Sequence, residues 1–154
     1  MPYEYKATFK KVIDGDTLIV DIDLGFDIVL SNQSIRLIGI DTPESRSKDR
    51  VEKTFGLLSK KAVEDFMKTN EKDGFVIQTI LSDDNGDKFG RILGKVYNSN
   101  KICLNDWLIK ANYAVAYNGE NKDLVKQAHL NNRKILIDNK QVNFTYAEAG
   151  ISQG

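Results

Sequence analysis

Five charged side chains stand next to apolar stretches of this sequence. Three are acidic (Asp16, Asp41 and Glu44) and two are arginines (Arg36 and Arg91). Carboxylate oxygens suit hard cations such as Ca²⁺ or Mg²⁺, and guanidinium groups present paired donors to phosphate oxygens. Together they could hydrolyse a phosphodiester, because a cation and arginines stabilise developing charge while a carboxylate takes a proton from water. The alternative is that they are solvated turn residues, as Asp and Glu at strand ends most often are.

The segment 36–44 is the stretch around which the other elements can be arranged. It has the pattern of a buried apolar strand with an arginine at its start and two carboxylates at its end. Pro43 cannot donate to a sheet ladder, and it restrains Thr42 to an extended conformation. The strand is therefore expected to stop at the carboxylates, at the mouth of a sheet or barrel.

The spacing within this segment predicts a break in the strand. Arg36 and Asp41 are five residues apart, and a regular strand would aim them at opposite faces. They can serve one site only if the strand bends, bulges or ends between them. We predict an irregularity between Gly39 and Thr42, because glycine in a strand often marks a bulge or a close backbone approach.

Alternation of apolar and polar residues predicts five strands. They are expected at 7–13, 18–24, 35–40, 75–81 and 89–97, with a turn at Gly25 and residues 26–30 continuing the sheet. In the second strand, one face is formed by Leu18, Val20, Ile22 and Leu24. Residues 31–34 are expected to be a polar hairpin connection, and residues 84–87 carry the Asn-Gly signal of a tight hairpin.

Three helices are predicted from apolar residues at helical spacing. The first has a stripe of Val51, Phe55, Leu58, Ala62 and Phe66, interrupted by Gly56, which weakens a helix by roughly 1 kcal/mol relative to alanine. The second is marked by Leu104, Trp107, Leu108 and Ala111. The third would be capped by Asn121, with a buried stripe of Leu124, Val125, Ala128 and Ile135.

This order of elements favours an α+β fold that is mainly β. One helix between the third and fourth strands and two after the fifth indicate a small Greek-key barrel, the oligonucleotide/oligosaccharide-binding (OB) fold, with three α-helices. Residues 1–138 are expected to form this single domain, and residues 139–154 a C-terminal tail without regular structure.

Composition excludes several kinds of chemistry. The 154 residues contain 22 Lys and Arg against 22 Asp and Glu, so an anionic ligand would have to be held by a local basic cluster. Cys103 is the only cysteine and His129 the only histidine, which excludes internal disulfides, Cys-based zinc sites and Ser-His-Asp catalysis. His129 is expected on a polar helix face, in a structural or exposed position. The N-terminus lacks the apolar core of a signal peptide, so a cytoplasmic monomer is expected, or a secreted one if a signal was removed.

Three motifs taken together resemble the staphylococcal nuclease (thermonuclease) family. They are residues 12–17 (VIDGDT), 36–44 (RLIGIDTPE) and 87–91 (DKFGR). Their order and the positions of the intervening and following helices match that family from about Thr8 to Leu136. The resemblance implies Ca²⁺-dependent cleavage of DNA and RNA, with single-stranded or frayed substrate preferred and 3′-phosphate ends left.

The resemblance also implies a role for individual residues. Asp16 and Asp41 would be calcium ligands, and the backbone carbonyl of Thr42 would complete the protein's share of the shell. Glu44 would be the general base or orient the attacking water, while the scissile phosphate would be held by Arg36 and Arg91. The nucleotide pocket would be lined by Lys88 and Tyr117.

The sequence departs from the family pattern in three respects. Phe89 stands where a tyrosine is common, which would remove one hydroxyl contact to a terminal phosphate. The connection from Asp16 to Arg36 looks longer, so that hairpin should protrude, and the neutral net charge would weaken nucleic-acid binding or steepen its salt dependence. A binding module that grips single-stranded nucleic acid or a protein without cutting is the main alternative. A sugar- or peptide-binding barrel rests on fold analogy alone.

Overall fold

The computed structural model describes residues 2–80 and 90–152. Its strands are β1 (Pro2–Asp14), β2 (Thr17–Gly25), β3 (Ile28–Leu37), β4 (Ile40–Asp41), β5 (Phe75–Ile80), β6 (Ile92–Tyr97) and β7 (Val115–Ala116). Its α-helices are α1 (Arg50–Asn70), α2 (Leu104–Lys110) and α3 (Lys122–Asp138), and a short 3-10 turn (Glu71–Asp73) follows α1. The predicted hairpin at 84–87 lies outside the described residues.

Within the described ranges, five strands close into a barrel in the order β1, β2, β3, β6, β5. β3 and β6 pair in parallel, and the other neighbours pair antiparallel. The remaining strands, β4 and β7, form a two-stranded antiparallel ribbon. The predicted α+β class, a five-stranded OB-fold barrel with three α-helices, is confirmed for the part of the chain that the structure describes.

The alternation predicted for the second strand holds only inside the barrel. Leu18 and Val20 are fully buried and Ile22 nearly so, but Leu24 is 43% exposed. The reason is that the end of β2 belongs to a hairpin that extends beyond the barrel wall. The prediction that this connection protrudes agrees with Phe26, which is 98% exposed at its tip.

The connection predicted at 31–34 is wrong, because those residues lie within β3. The chain reverses at Phe26 and Asp27, directly after the turn predicted at Gly25, and their φ angles of 55° and 61° are those of a two-residue hairpin turn; the sheet resumes at Ile28. The polar run contains an irregularity at Asn32, which has a φ of 54° where the register with β2 shifts. Polar residues are tolerated here because this part of β3 lies outside the core and faces solvent.

The predicted strand at 35–40 is interrupted. β3 ends at Leu37, a turn follows at Ile38 and Gly39, and β4 begins at Ile40. Gly39 has a φ of 77°, a conformation that glycine adopts without steric cost. The irregularity thus begins one residue before the predicted interval, and it lets side chains on either side of the turn face the same end of the barrel.

Helix α1 matches its predicted pattern closely. Asp49 caps it by accepting hydrogen bonds from the amides of Val51 and Glu52. Phe55, Ala62 and Phe66 of the predicted stripe are buried, Ala62 and Phe66 in the core of the barrel and Phe55 beside Phe144. This helix closes one end of the barrel and also packs against the loop that follows β4.

Helix α3 begins as predicted, with the Asn121 side chain accepting from the Asp123 amide. Its predicted apolar stripe is wrong, since Leu124 is 68% exposed and Ile135 is 39% exposed. The buried position is Leu136. The pattern fails because α3 does not cover the barrel sheet; its inward face includes polar contacts to Asp41 of β4 and Glu52 of α1.

Within the described chain, residues 139–152, which follow α3, form turns and loops without a helix or strand. They are nevertheless packed on the domain. The ring of Phe144 lies 6.0 Å from that of Phe55, and Ala149 is fully buried. No helix in the described part of the chain has the length and hydrophobicity that crossing a bilayer requires.

Candidate active site

One cleft at the open end of the barrel gathers most of the residues that the sequence singled out. It has a volume of about 410 Å³. The predicted site residues that line it are Asp16, Arg36, Asp41, Thr42, Glu44 and Arg91. They come from the β1–β2 turn, from β3, from β4 and the loop after it, and from the residue before β6. The strand break at Gly39 is what allows Arg36 and Asp41 to share this cleft.

Asp16 occupies the tight turn between β1 and β2, and its side chain is only 16% exposed. Burial raises the pKa of this carboxyl, an effect that the nearby Arg36 guanidinium and the Thr17 hydroxyl oppose. The charges of Asp14 and Asp41 raise the pKa further. The carboxylate is therefore held in a position where an additional positive charge would be favourable.

Arg36 spans the break in the strand. Its Nη1 donates to the carbonyl of Leu37, and its Nη2 donates to the carbonyl of Ile40 at 3.0 Å and lies 3.5 Å from Asp16 Oδ2. The side chain thus fixes the geometry of the turn between β3 and β4. It also keeps a mostly buried positive charge at the wall of the cleft, where it is 17% exposed.

Arg91 reaches the same wall from the strand that pairs with β3. Its Nη1 lies 3.4 Å from the Thr17 hydroxyl, which in turn donates to Asp16 Oδ1 at 3.0 Å. Thr17 therefore links the second arginine to the buried carboxylate. The two guanidinium groups approach the cleft from different strands, as two donors to a single anion would.

Asp41 and Thr42 differ in exposure although they are adjacent. The Asp41 side chain is 38% exposed, whereas Thr42 is buried. The Thr42 hydroxyl oxygen has no hydrogen-bond partner among the residues that the structure describes. Gly15 makes this packing possible, since a Cβ there would lie 2.9 Å from that oxygen.

Glu44 is exposed, but its backbone is held from three sides. Its amide donates to Glu52 Oε1 at 3.0 Å, and the next amide, of Ser45, donates to Asp14 Oδ1 at 3.3 Å. Helix α1 touches the same peptide at Gly56, where a Cβ would lie 2.4 Å from the Glu44 carbonyl carbon. The carboxylate therefore projects into the cleft from a fixed backbone.

Only one of the two predicted nucleotide-binding residues belongs to the part of the chain that the structure describes. Lys88 lies outside the described residues. Tyr117 is 37% exposed and lines a neighbouring groove of about 660 Å³, which shares Asp41 with the cleft. Its amide donates to the carbonyl of Gly39 at 2.9 Å, which ties β7 to the strand break.

The sequence did not predict that two residues of α3 contact the acidic residues of the site and their neighbour Glu52. His129 is expected on a polar helix face, in a structural or exposed position, and the structure gives it a structural contact that the sequence did not identify: its Nε2 lies 2.8 Å from Asp41 Oδ2, and its side chain is only 18% exposed. Arg133, one turn further along α3, contacts Glu52. The i, i+4 spacing of His129 and Arg133 was the available signal, although nothing local indicated that α3 would face segment 41–44.

The residues present offer oxygen ligands to a hard cation. Among residues 2–80 and 90–152, no three His, Cys, Asp or Glu side chains lie close enough together to form a complete metal site. A cation here would rest on Asp16, on Asp41 and on backbone carbonyl and water oxygens, which is a donor set that Ca²⁺ accepts. The raised pKa of Asp16 fits such a cation, because a positive charge would relieve the repulsion among the carboxylates.

Comparison with known proteins agrees with the fold and the motifs. Residues 34–144 match the family model described as staphylococcal nuclease homologue. A thermonuclease of Staphylococcus hyicus is 34% identical over 116 residues, which cover 72% of this chain and 60% of that protein. A thermonuclease of Staphylococcus intermedius is 36% identical over 91 residues, covering 57% of this chain and 46% of that protein.

A larger relative contains a similar segment. Endonuclease YhcR of Bacillus subtilis (strain 168) is 29% identical over 119 residues, which cover 74% of this chain but 9% of that protein. The chain thus spans less than two thirds of the length of each of these relatives. Because the family model matches well over half of its residues, the chain belongs to the staphylococcal nuclease homologue family.

Proposed function

We propose that this protein is a calcium-dependent nuclease that hydrolyses phosphodiester bonds in single-stranded or frayed DNA and RNA. The observation that carries the proposal is the convergence of Asp16, Asp41, Glu44, Arg36 and Arg91 on one cleft. Three relatives whose names denote nucleases support it. Solvated turn residues would have no reason to meet in this way from separate segments.

The division of labour follows from the exposure and position of each group. The calcium ion would be held by Asp16, Asp41 and the carbonyl of Thr42, and when bound it would polarise the phosphoryl oxygens and neutralise charge. Arg36 and Arg91 would hold the scissile phosphate and stabilise the charge that develops on its oxygens. Both arginines already lie within reach of Asp16 or its Thr17 partner.

Glu44 is the group best placed to accept a proton from the attacking water. Its side chain is exposed at the cleft, while its backbone is fixed by Glu52 and by contact with Gly56. A general base must reach the water whose proton it takes, and an exposed carboxylate on a fixed backbone at the cleft meets this requirement. Tyr117 and Lys88 would line the nucleotide pocket.

The direct test is cleavage of heat-denatured DNA with Ca²⁺, compared with the same reaction in the presence of chelator. The proposal predicts cleavage that chelation abolishes and that is faster than cleavage of the intact duplex. Products should carry 3′-phosphate ends. Binding of single strands without any cleavage would instead support the alternative, a non-catalytic nucleic-acid module on the same barrel.

A further inference from the structure

We infer that helix α3 positions the acidic segment 41–44 for catalysis, with His129 holding Asp41 directly and Arg133 holding Glu44 through Glu52. This inference rests on the proposed function for the roles of the two carboxylates. The contacts on which it is built do not depend on the proposed function, because they are present in the folded chain.

The first contact is a hydrogen bond across 88 residues of sequence. His129 Nε2 lies 2.8 Å from Asp41 Oδ2. An ionised carboxylate can only accept, so the imidazole nitrogen donates. Holding one oxygen of Asp41 fixes the rotamer of the side chain and leaves the other oxygen free to face the cleft. Hydrogen bonds of this kind to ligand carboxylates typically contribute 10- to 100-fold to metal affinity.

The second contact is indirect, because Arg133 and the Glu44 amide both bind the carboxylate of Glu52. Arg133 Nη2 lies 2.8 Å from Glu52 Oε2, and the other oxygen of Glu52 accepts from the Glu44 amide at 3.0 Å. One carboxylate thus connects α3 to the backbone of the proposed base. Glu52 itself sits in the first turn of α1, where its charge is favourable.

Arg133 is held rigidly enough to serve as an anchor. Its side chain is 16% exposed, its Nη1 donates to the Ala149 carbonyl at 3.0 Å, and its guanidinium lies 5.2 Å from the centroid of the Phe55 ring. The C-terminal turn therefore contributes to the anchor by supplying that carbonyl. A side chain with this many constraints costs little further entropy to hold Glu52.

The two anchors act on opposite ends of the same short segment. His129 and Arg133 are four residues apart and so share one face of α3. Between them, Pro43 lies against this face in a narrow crevice that both residues line. The side chains and backbone of residues 41–44 are thereby held in a fixed position relative to α3, as precise placement of catalytic groups requires.

Amide hydrogen exchange of the metal-free protein tests the positioning directly. Arg133→Met should speed exchange of the Glu44 amide by about tenfold or more, because Glu52 loses its partner, and Arg133→Lys should restore part of the protection. His129→Leu should speed exchange in the β4–β7 ribbon, and His129→Gln, which keeps a donor, should restore part of it. Unchanged exchange in folded His129→Leu and Arg133→Met would overturn the inference.

Controls on the same helix separate positioning from helix stability. Gln127→Leu and Lys134→Met alter exposed residues of α3 and should leave exchange at 41–44 unchanged. If they speed it equally, the effect belongs to the helix as a whole and the inference is wrong.

A calcium titration by calorimetry gives the second readout. His129→Leu should weaken calcium binding by about 10- to 100-fold, with partial rescue in His129→Gln. In cleavage kinetics, Arg133→Met should lower kcat more than it raises KM. Equal calcium affinity in wild type and His129→Leu would overturn the His129 arm. If the wild type bound no calcium, the metal part of the proposed function would fail, while the exchange data would still decide whether α3 positions the segment.

Discussion

Replacing Gly56 with alanine should displace the proposed base without unfolding the protein. A Cβ at this position would lie 2.4 Å from both the Glu44 carbonyl carbon and the Ser45 nitrogen, whereas ordinary Cβ contacts begin at 3.4 Å. The backbone at Glu44 must therefore move by about 1 Å, the difference between those two distances. A misplacement of about 1 Å at a catalytic group can cost about 100-fold in rate.

The expected change in stability is much smaller. Alanine favours a helix over glycine by about 1 kcal/mol, which partly offsets an overpacking cost of about 1–3 kcal/mol. We therefore expect Gly56→Ala to remain folded, with kcat for a single-stranded oligonucleotide lowered about 100-fold at saturating Ca²⁺. Thr54→Ala, a change at a partly exposed position of α1, is the matched control and should keep full activity. A folded Gly56→Ala protein with unchanged kcat would show that the backbone position of Glu44 does not matter.

Four further substitutions test separate parts of the site. Glu44→Gln should slow single-turnover cleavage by roughly 10²–10⁴-fold with the fold intact, and unchanged turnover would remove Glu44 from proton transfer. Arg91→Ala should lower kcat/KM by the equivalent of about 3 kcal/mol, and an effect confined to KM would make Arg91 a docking residue. Asp41→Asn should raise the calcium concentration needed for half-maximal activity; an identical titration curve would place the ion elsewhere. Burial raises the pKa of Asp16 above its usual 3.8, so its ionisation destabilises the metal-free fold as pH rises through the raised value. Asp16→Asn should therefore raise the Tm of the metal-free protein at pH 7 and have little effect below pH 3.8, and the same Tm change at both pH values would refute this reasoning.

The barrel could be predicted because local patterns matched local structure. Leu18, Val20 and Ile22 alternate as a barrel strand requires, and Asp49 and Asn121 cap the helices that they precede. The break at Gly39 could also be deduced, since Arg36 and Asp41 can meet only if the strand is irregular.

What the sequence did not predict depends on contacts between distant segments. The turn at Phe26 and Asp27 uses a positive φ angle at Phe26, a residue that is not typical of such turns, while the polar run after it indicated a loop. The buried face of α3 was misassigned because helical periodicity assumes an apolar surface beneath the helix. Here that surface includes the carboxylates of Asp41 and Glu52, and only the three-dimensional arrangement reveals why His129 and Arg133 face inward.

The role of Gly56 could not be deduced from the sequence around it. Gly56 reads as a weak point in a helix, yet it is where α1 and the Glu44 backbone touch. A sequence pattern can show that a glycine is present in a helix, but the reason lies in a neighbour that is distant in sequence.

A double-mutant cycle on Glu44→Gln and Arg91→Ala tests most directly whether the cleft acts as one site. Single-turnover cleavage of a labelled single-stranded oligonucleotide would be measured for the wild type, both single variants and the double variant at saturating Ca²⁺. If both groups act on one phosphate, the double variant should lose far less than the product of the two single losses, because groups that act as a unit are strongly non-additive. Fully multiplicative losses would contradict the account, since they would mean that the carboxylate and the guanidinium act independently.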